Sequence, residues 1–275
     1  MATVKPQVQT SVSREVAREV LSRGTDCLDD LIVEKAFGIP IFCNDFPPPI
    51  PFGPEEIDRA RKLHHFLVLI ADKNPAGQVL TMQGVDEMCQ SKLDDGPLLF
   101  YRGCYKHEPF YGKVPIAKFP TWKFVSREVI PDSINKNFLG QTQAIVDYLV
   151  DEVYEGQSLP DQYRAAVDEF EANIDRLASL MNTNWQPAAG ELAALQVNQL
   201  FRLSPGELLY VIALYDRVNH ERLLEDTYSW TASRYADGNL VSIGLADSDG
   251  ASVDGDTPRY SYDNLGTMFS RSGLV

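Results

Sequence analysis

The sequence predicts an α+β fold: a helical middle segment flanked by strands, with an antiparallel sheet at the C-terminal end. Three observations carry this. Apolar residues recur at helical spacing between residues 133 and 219. Short apolar runs bounded by turn residues occupy 61–131. The last stretch alternates strand-like pieces with Asp-Gly and Gly-Asp turns. At 275 residues the chain is long enough for one large domain or two small ones. A chain of this size needs no disulfide or metal staple to fold. Hydrophobic residues make up 44% and charged residues 23%, which argues against disorder and fibrous classes.

Residues 1–60 read as an irregular, Pro-rich N-terminal segment, with 61–275 forming the main domain. Ser13 to Leu21 carries a weak helical pattern. Pro47, Pro48, Pro49, Pro51 and Pro54 remove backbone donors, so Asn44 to Pro54 is expected to be an extended connector. Phe66–Ile70, Pro97–Tyr101 and Thr121–Ile130 are strand candidates, and Thr81–Cys89 a short helix. Tyr163, Val167, Phe170, Ile174, Leu177 and Met181 mark one face of an amphipathic helix. Phe138, Thr142, Ile145, Leu149 and Val153 mark a preceding one, and a third is expected near Ala188–Arg202. Ser204-Pro205-Gly206-Glu207 reads as the start of a fourth: an N-cap, Pro at the first helical position, and a capping-box Glu.

Charge narrows the partners. The net charge is −14 and uneven: residues 137–275 hold 8 Arg and no Lys against 21 Asp and Glu. Nucleic-acid affinity depends on neutralising phosphates with basic residues, so nucleic acid is a poor candidate and no such partner is expected. No apolar run approaches the roughly 20 residues of a membrane span. Met1 to Thr10 lacks the apolar core of a signal peptide, so the expectation is a soluble chain with no membrane insertion, its address cytoplasmic or unknown.

Cys27, Cys43, Cys89 and Cys104 are irregularly spaced, and reduced thiols are expected. Cys104 and His107, with Cys43 and Cys89, contain enough ligands for zinc, but the spacing demands no site and none is assigned. His64-His65 at the start of a strand should split into a surface and a core residue. No cofactor motif appears: there is no P-loop, nucleophile elbow, His-Glu-x-x-His or dinucleotide fingerprint.

The tail changes character. Of the 48 residues from Tyr228 to Val275, 26 are Ser, Asp, Asn, Tyr or Gly. Strand pieces are expected at Thr227–Ala232, Leu240–Leu245 and Gly266–Ser270. This tail, with the segments before it, resembles a known arrangement. Ser204–Tyr210 resembles the Pro-x-Glu helix of formylglycine-generating-type C-type lectin folds. Tyr228-Ser229-Trp230 resembles the aromatic strand that follows it. Leu265–Arg271 is similar to the final Gly-x-x-Phe strand, and Trp122–Ile130 with Pro131-Asp132-Ser133 fits the first half of the same fold. Within that fold the tail looks like the variable region of diversity-generating retroelement target proteins, spanning 228–272. In that family, adenine-directed mutagenesis rewrites C-terminal codons.

The resemblance implies a C-type lectin-like domain whose diversified surface binds a ligand, most simply a protein. Tyr gives rigid contact area, and Ser, Gly and Asn give adaptable hydrogen bonding, the palette of antibody paratopes. The expected ligand-binding residues are Tyr235, Asp237, Asn239, Asp247, Asp249, Asp254, Asp256, Arg259, Tyr260, Tyr262, Asp263 and Asn264, lying largely on one exposed face. Trp230, Val241, Ile243, Leu245, Leu265 and Phe269 are the expected buried counterparts.

Three other readings compete. Formylglycine-generating relatives use cysteines in the second half of the fold, but none follows Cys104 here, so that activity does not carry over and no catalytic residue is assigned. Asp168, Glu169 and Glu171 read as the wet side of a helix. Asp247, Asp249, Asp254 and Asp256 supply oxygens for calcium, but their spacing fails the EF-hand pattern. A structural protein-interaction module would dock through an exposed apolar patch on Asp161–Met181.

Overall fold

The computed structural model describes residues 11–21, 25–41, 48–89 and 97–273. In chain order the first elements are α1 (Arg14–Val20), β1 (Cys27–Leu28), α2 (Asp30–Phe37), α3 (Pro54–Lys62) and β2 (His65–Ile70). Then come α4 (Met82–Cys89), α5 (Pro109–Gly112) and β3 (Thr121–Val129). The helical middle holds α6 (Phe138–Tyr148), a π-turn at Leu149–Val153, α7 (Asp161–Thr183), α8 (Trp185–Ala194), α9 (Gln196–Phe201) and α10 (Pro205–Asn219). The chain closes with β4 (Tyr228–Arg234), β5 (Leu240–Asp247), β6 (Gly250–Asp256), β7 (Leu265–Gly266) and β8 (Met268–Ser272).

The strands form two four-stranded sheets, β1-β2-β3-β8 and β6-β5-β4-β7. The fold is therefore mixed α+β, as the alternation of patterns predicts. β8 returns to lie antiparallel beside β3, pairing Phe124 with Arg271 and Val125 with Ser270. The helical middle and the whole second sheet are thus threaded between two neighbouring strands of the first.

The second sheet separates two cores. Val241, Ile243 and Val253 face a cluster built on β2 and α10. Trp230, Leu240 and Leu265 face a cluster built on α6 to α9. Strand alternation makes this division, because successive side chains point to opposite faces. The predicted α7 stripe enters the second cluster, with Tyr163, Phe170, Leu177 and Met181 buried.

α10 begins as its sequence predicts. The Glu207 amide donates to Ser204 Oγ (3.3 Å), and the Ser204 amide donates to Glu207 Oε2 (2.8 Å). Its burial is wider than one stripe, since every residue from Pro205 to Tyr215 is buried. A helix covered on all sides tolerates apolar residues all round.

Several expectations need correction. Residues 1–60 are not an irregular leader where described. β1 pairs parallel with β2, and Leu28, Val33, Phe37, Phe52 and Ile57 enter the first core. The stretch from Pro48 is a fixed connector in which Pro48 O accepts from Trp122 Nε1 (2.9 Å), while Pro54 opens a helix at its first turn. Pro47 lies outside the described residues. Pro97–Tyr101 is not a strand: it makes a single bridge, Leu99 to Ala251, and leaves Phe100 and Tyr101 exposed. The third middle helix is two, α8 and α9, broken where Leu195 turns to extended backbone. β6 is a strand that its Gly-, Ser- and Asp-rich sequence concealed.

Candidate functional site

The second sheet positions the tail residues. Its register runs from Leu240 opposite Asp256 at one end of the β5–β6 hairpin to Asp247 opposite Gly250 at the other. At roughly 3.3 Å per residue those ends lie about 20 Å apart. Asp254 and Asp256 stand on one face of β6 and Val253 on the other, so the edge strand is acidic outside and apolar inside.

A connection from Thr257 to Asn264 carries the chain from β6 to β7, the two outer strands of the sheet. It is pinned along its length. Pro258 O accepts from the Phe138 amide (3.1 Å), Tyr262 O from the Asn135 amide (3.1 Å), and Asn264 O from the Tyr228 amide (2.7 Å). The rings of Tyr260 and Tyr262 stack at 5.8 Å, and Tyr262 Oη donates to Asp256 Oδ1 at 3.3 Å. Between this connection and the sheet lies an open groove of about 350 Å³, lined by Tyr228, Asp254, Asp256, Tyr262, Asn264 and Leu265.

The groove has the electrostatics of crowded acids. Burial raises the Asp256 pKa above its ordinary value, and the Asp254 charge adds to this, while the Tyr262 hydrogen bond works the other way. Burial pushes the Tyr228 phenol up to about 12, and the nearby Asp254 carboxylate adds to this.

The family models, the curated proteins and the solved structures contain no match for this chain.

The structure brings only part of the expected set together. Asp254, Asp256, Tyr262 and Asn264 line the groove, Tyr260 stacks above it, and Arg259 and Asp263 are exposed on the same connection. Asp237 and Asn239 form the β4–β5 turn at the same end, where Asp237 Oδ1 accepts from the Asn239 amide (2.9 Å). Gly238 supplies the positive φ, +97°, that this turn requires. Tyr235 turns away: its ring meets Phe110 edge-on at 5.1 Å, and it covers Gly255 from the apolar side of β6. Asp247 and Asp249 sit in the far turn, where Asp247 Oδ1 accepts from the Asp249 amide (2.8 Å). The single face expected to hold most of the twelve is therefore replaced by a groove lined by four of them, Asp254, Asp256, Tyr262 and Asn264.

Of the expected buried counterparts, Trp230, Val241, Ile243, Leu265 and Phe269 are at most 2% exposed. Leu245 is only half-buried; it lies at φ +45° where the β5–β6 register shifts, so strand alternation fails there. Tyr228 was missed as a groove residue. Two positions before Trp230, it shares that residue's face, which the sequence marks only as inward. The face opens at the strand's first residue.

The remaining candidates have local explanations. Glu169 Oε2 accepts from the Gln196 amide (2.7 Å) and so caps α9, while Asp168 and Glu171 are exposed on α7. His65 is buried and His64 exposed, as the strand start predicts. Burial pushes the Cys27 thiol up to about 12, with Asp29 adding, the reverse of an activated nucleophile. Cys89 is buried and Cys104 exposed. Cys43 lies outside the described residues. Among the described residues no three His, Cys, Asp or Glu side chains gather as a metal site. No helix among them is long and apolar enough to cross a membrane. None of the large exposed hydrophobics lies on Asp161–Met181, so the apolar stripe of α7 offers no docking patch.

Proposed function

We propose that this chain is a non-catalytic binding protein that displays an exchangeable C-terminal surface on a C-type lectin-like scaffold. The kind is that of diversity-generating retroelement variable proteins, with a protein as the natural ligand. One observation carries the reading. Asp254, Arg259, Tyr260, Tyr262 and Asp263 are exposed, while Trp230, Val241, Ile243 and Leu265 of the same sheet, and Phe269 on β8, are almost fully buried. Contact residues and framework residues therefore occupy different positions in the same stretch of sequence.

The test is a library of the whole chain randomised at Asp254, Asp256, Tyr260, Tyr262 and Asn264 and displayed against unrelated protein targets. Most members should fold with melting midpoints close to the parent, and different targets should select different sequences. Loss of folding in most members would show that these side chains are framework. The retroelement part has its own check: a near-copy of the DNA for residues 228–272 beside a reverse transcriptase gene, differing at adenines. Its absence would remove diversification and leave a fixed binding surface.

A further inference from the structure

The groove has a composition of its own. Its walls are two carboxylates on alternate positions of β6 and the phenols of Tyr228 and Tyr262, and the apolar side chain of Leu265 completes the lining. No Lys or Arg lines it; Arg259, on the same connection, is exposed outside it. Asp256 Oδ1 accepts from the Tyr262 hydroxyl (3.3 Å), and an ionised carboxylate so held keeps further lone pairs for a donor, as does Asp254 beside it. The volume of about 350 Å³ is that of a side-chain pocket and far exceeds the roughly 30 Å³ share of one water.

We infer that this groove takes a guanidinium group, its planar fork set against Asp254 and Asp256 and its face against the Tyr262 ring. The inference rests on the binding-surface reading above and names the ligand class. A guanidinium has five donors in a fixed fork that matches carboxylates and stacks on aromatic planes. An ammonium is a more strongly hydrated point charge and gains less from a flat aromatic wall. The methylene stem of an arginine would lie along Leu265. A divalent ion is the weaker fit, since hard cations want six or more oxygens and only two carboxylates converge.

The experiment is an amide NMR titration of the full chain. The probes are Nα-acetyl-arginine amide, its neutral citrulline counterpart, calcium chloride, and a short peptide carrying one arginine. The arginine amide should shift the amides of Asp254, Gly255, Asp256 and Asn264 saturably. The citrulline compound should bind at least about tenfold more weakly, because charge-assisted hydrogen bonds are roughly twice as strong as neutral ones. Asp256→Asn and, separately, Asp254→Asn should each weaken the arginine amide by a similar factor without moving the melting midpoint. A peptide that binds more tightly than the amide places the guanidinium on a protein segment; equal binding assigns a free small molecule. Equal shifts with citrulline, shifts with calcium alone, or shifts outside the groove would overturn the guanidinium assignment. The binding-surface reading fails separately, if the randomised library above does not fold.

Discussion

The guanidinium of Arg202 lies over the ring of Phe138, 4.1 Å from its centroid, and no carboxylate meets it among the described residues. Its donors go instead to Asn198 Oδ1 (2.8 Å), Thr267 Oγ1 (3.0 Å) and the Trp230 carbonyl (3.3 Å). Burial pulls its pKa down to about 9, still above neutral pH, so the group is charged at pH 7. A single cation thereby ties α9 to α6, β4 and the strand pair that ends the chain.

Arg202→Met should cost about 3 kcal/mol, because several buried acceptors lose their donor together. Arg202→Lys should recover only part, since an ammonium cannot reach the same fork of acceptors. Urea unfolding with an unchanged slope would read this directly. A loss within about 0.5 kcal/mol, the range of ordinary surface changes, would mean that the acceptors find other partners.

His65 is buried against the Tyr148 hydroxyl, 2.9 Å from Nε2. Burial lowers its pKa to about 3, and the positive charges of Arg271 and His64 add to the effect. The unfolded chain binds this proton near pH 6.5 and the folded chain does not. The histidine's contribution is therefore complete above pH 6.5 and is lost as pH falls toward 3. From this group alone stability should drop by about 1.4 kcal/mol per pH unit below 6.5. His65→Leu should flatten the profile between pH 6.5 and 5, above the ordinary carboxylate range. Parallel profiles for the two proteins would show that the buried imidazole becomes charged in place.

Arg259→Ala, Tyr260→Ala and Tyr262→Ala should each change stability by about 0.5 kcal/mol or less, as exposed positions do. Trp230→Ala should cost about 3–5 kcal/mol through the cavity it leaves beside Phe138. Thermal melts of the four variants test the separation of contact surface from framework. Similar losses in all four would erase it.

Arg271 is 4% exposed, pairs with Glu56 Oε1 (2.7 Å) and lies over the rings of Phe52 and Phe124. The last strand is thus locked to α3. Glu56→Gln should destabilise by about 3 kcal/mol by leaving a buried charge without its partner. A chain starting at residue 61 should lose cooperative unfolding in denaturant altogether. A cooperative transition in that truncated chain would show that the first sixty residues are dispensable to the core.

Much of this fold could be read from the sequence where a pattern had one cause. The capping box of α10, the stripe of α7, and the runs behind β2 and β3 each follow from local periodicity. β6 could not be read this way: Gly250–Asp256 is a strand because β5 offers it a ladder, while its own residues favour turns. The N-terminal helices are short, and tertiary packing rather than their own propensity holds them. At the site, composition identified the exposed polar residues but not their distances. The register placed Asp247 and Asp249 a strand's length from Asp254 and Asp256, and turned Tyr235 to the other face. Register comes from long-range pairing, which a list of residue types does not contain.

The span from Thr257 to Asn264 is moored to opposite rims of one sheet and tacked to the chain at Asn135 and Phe138 on the way. Its contour length therefore sets the headroom of the cleft beneath it. One residue gained or lost in that arch would alter which molecules fit under it, while the ladders on either side kept their pairing.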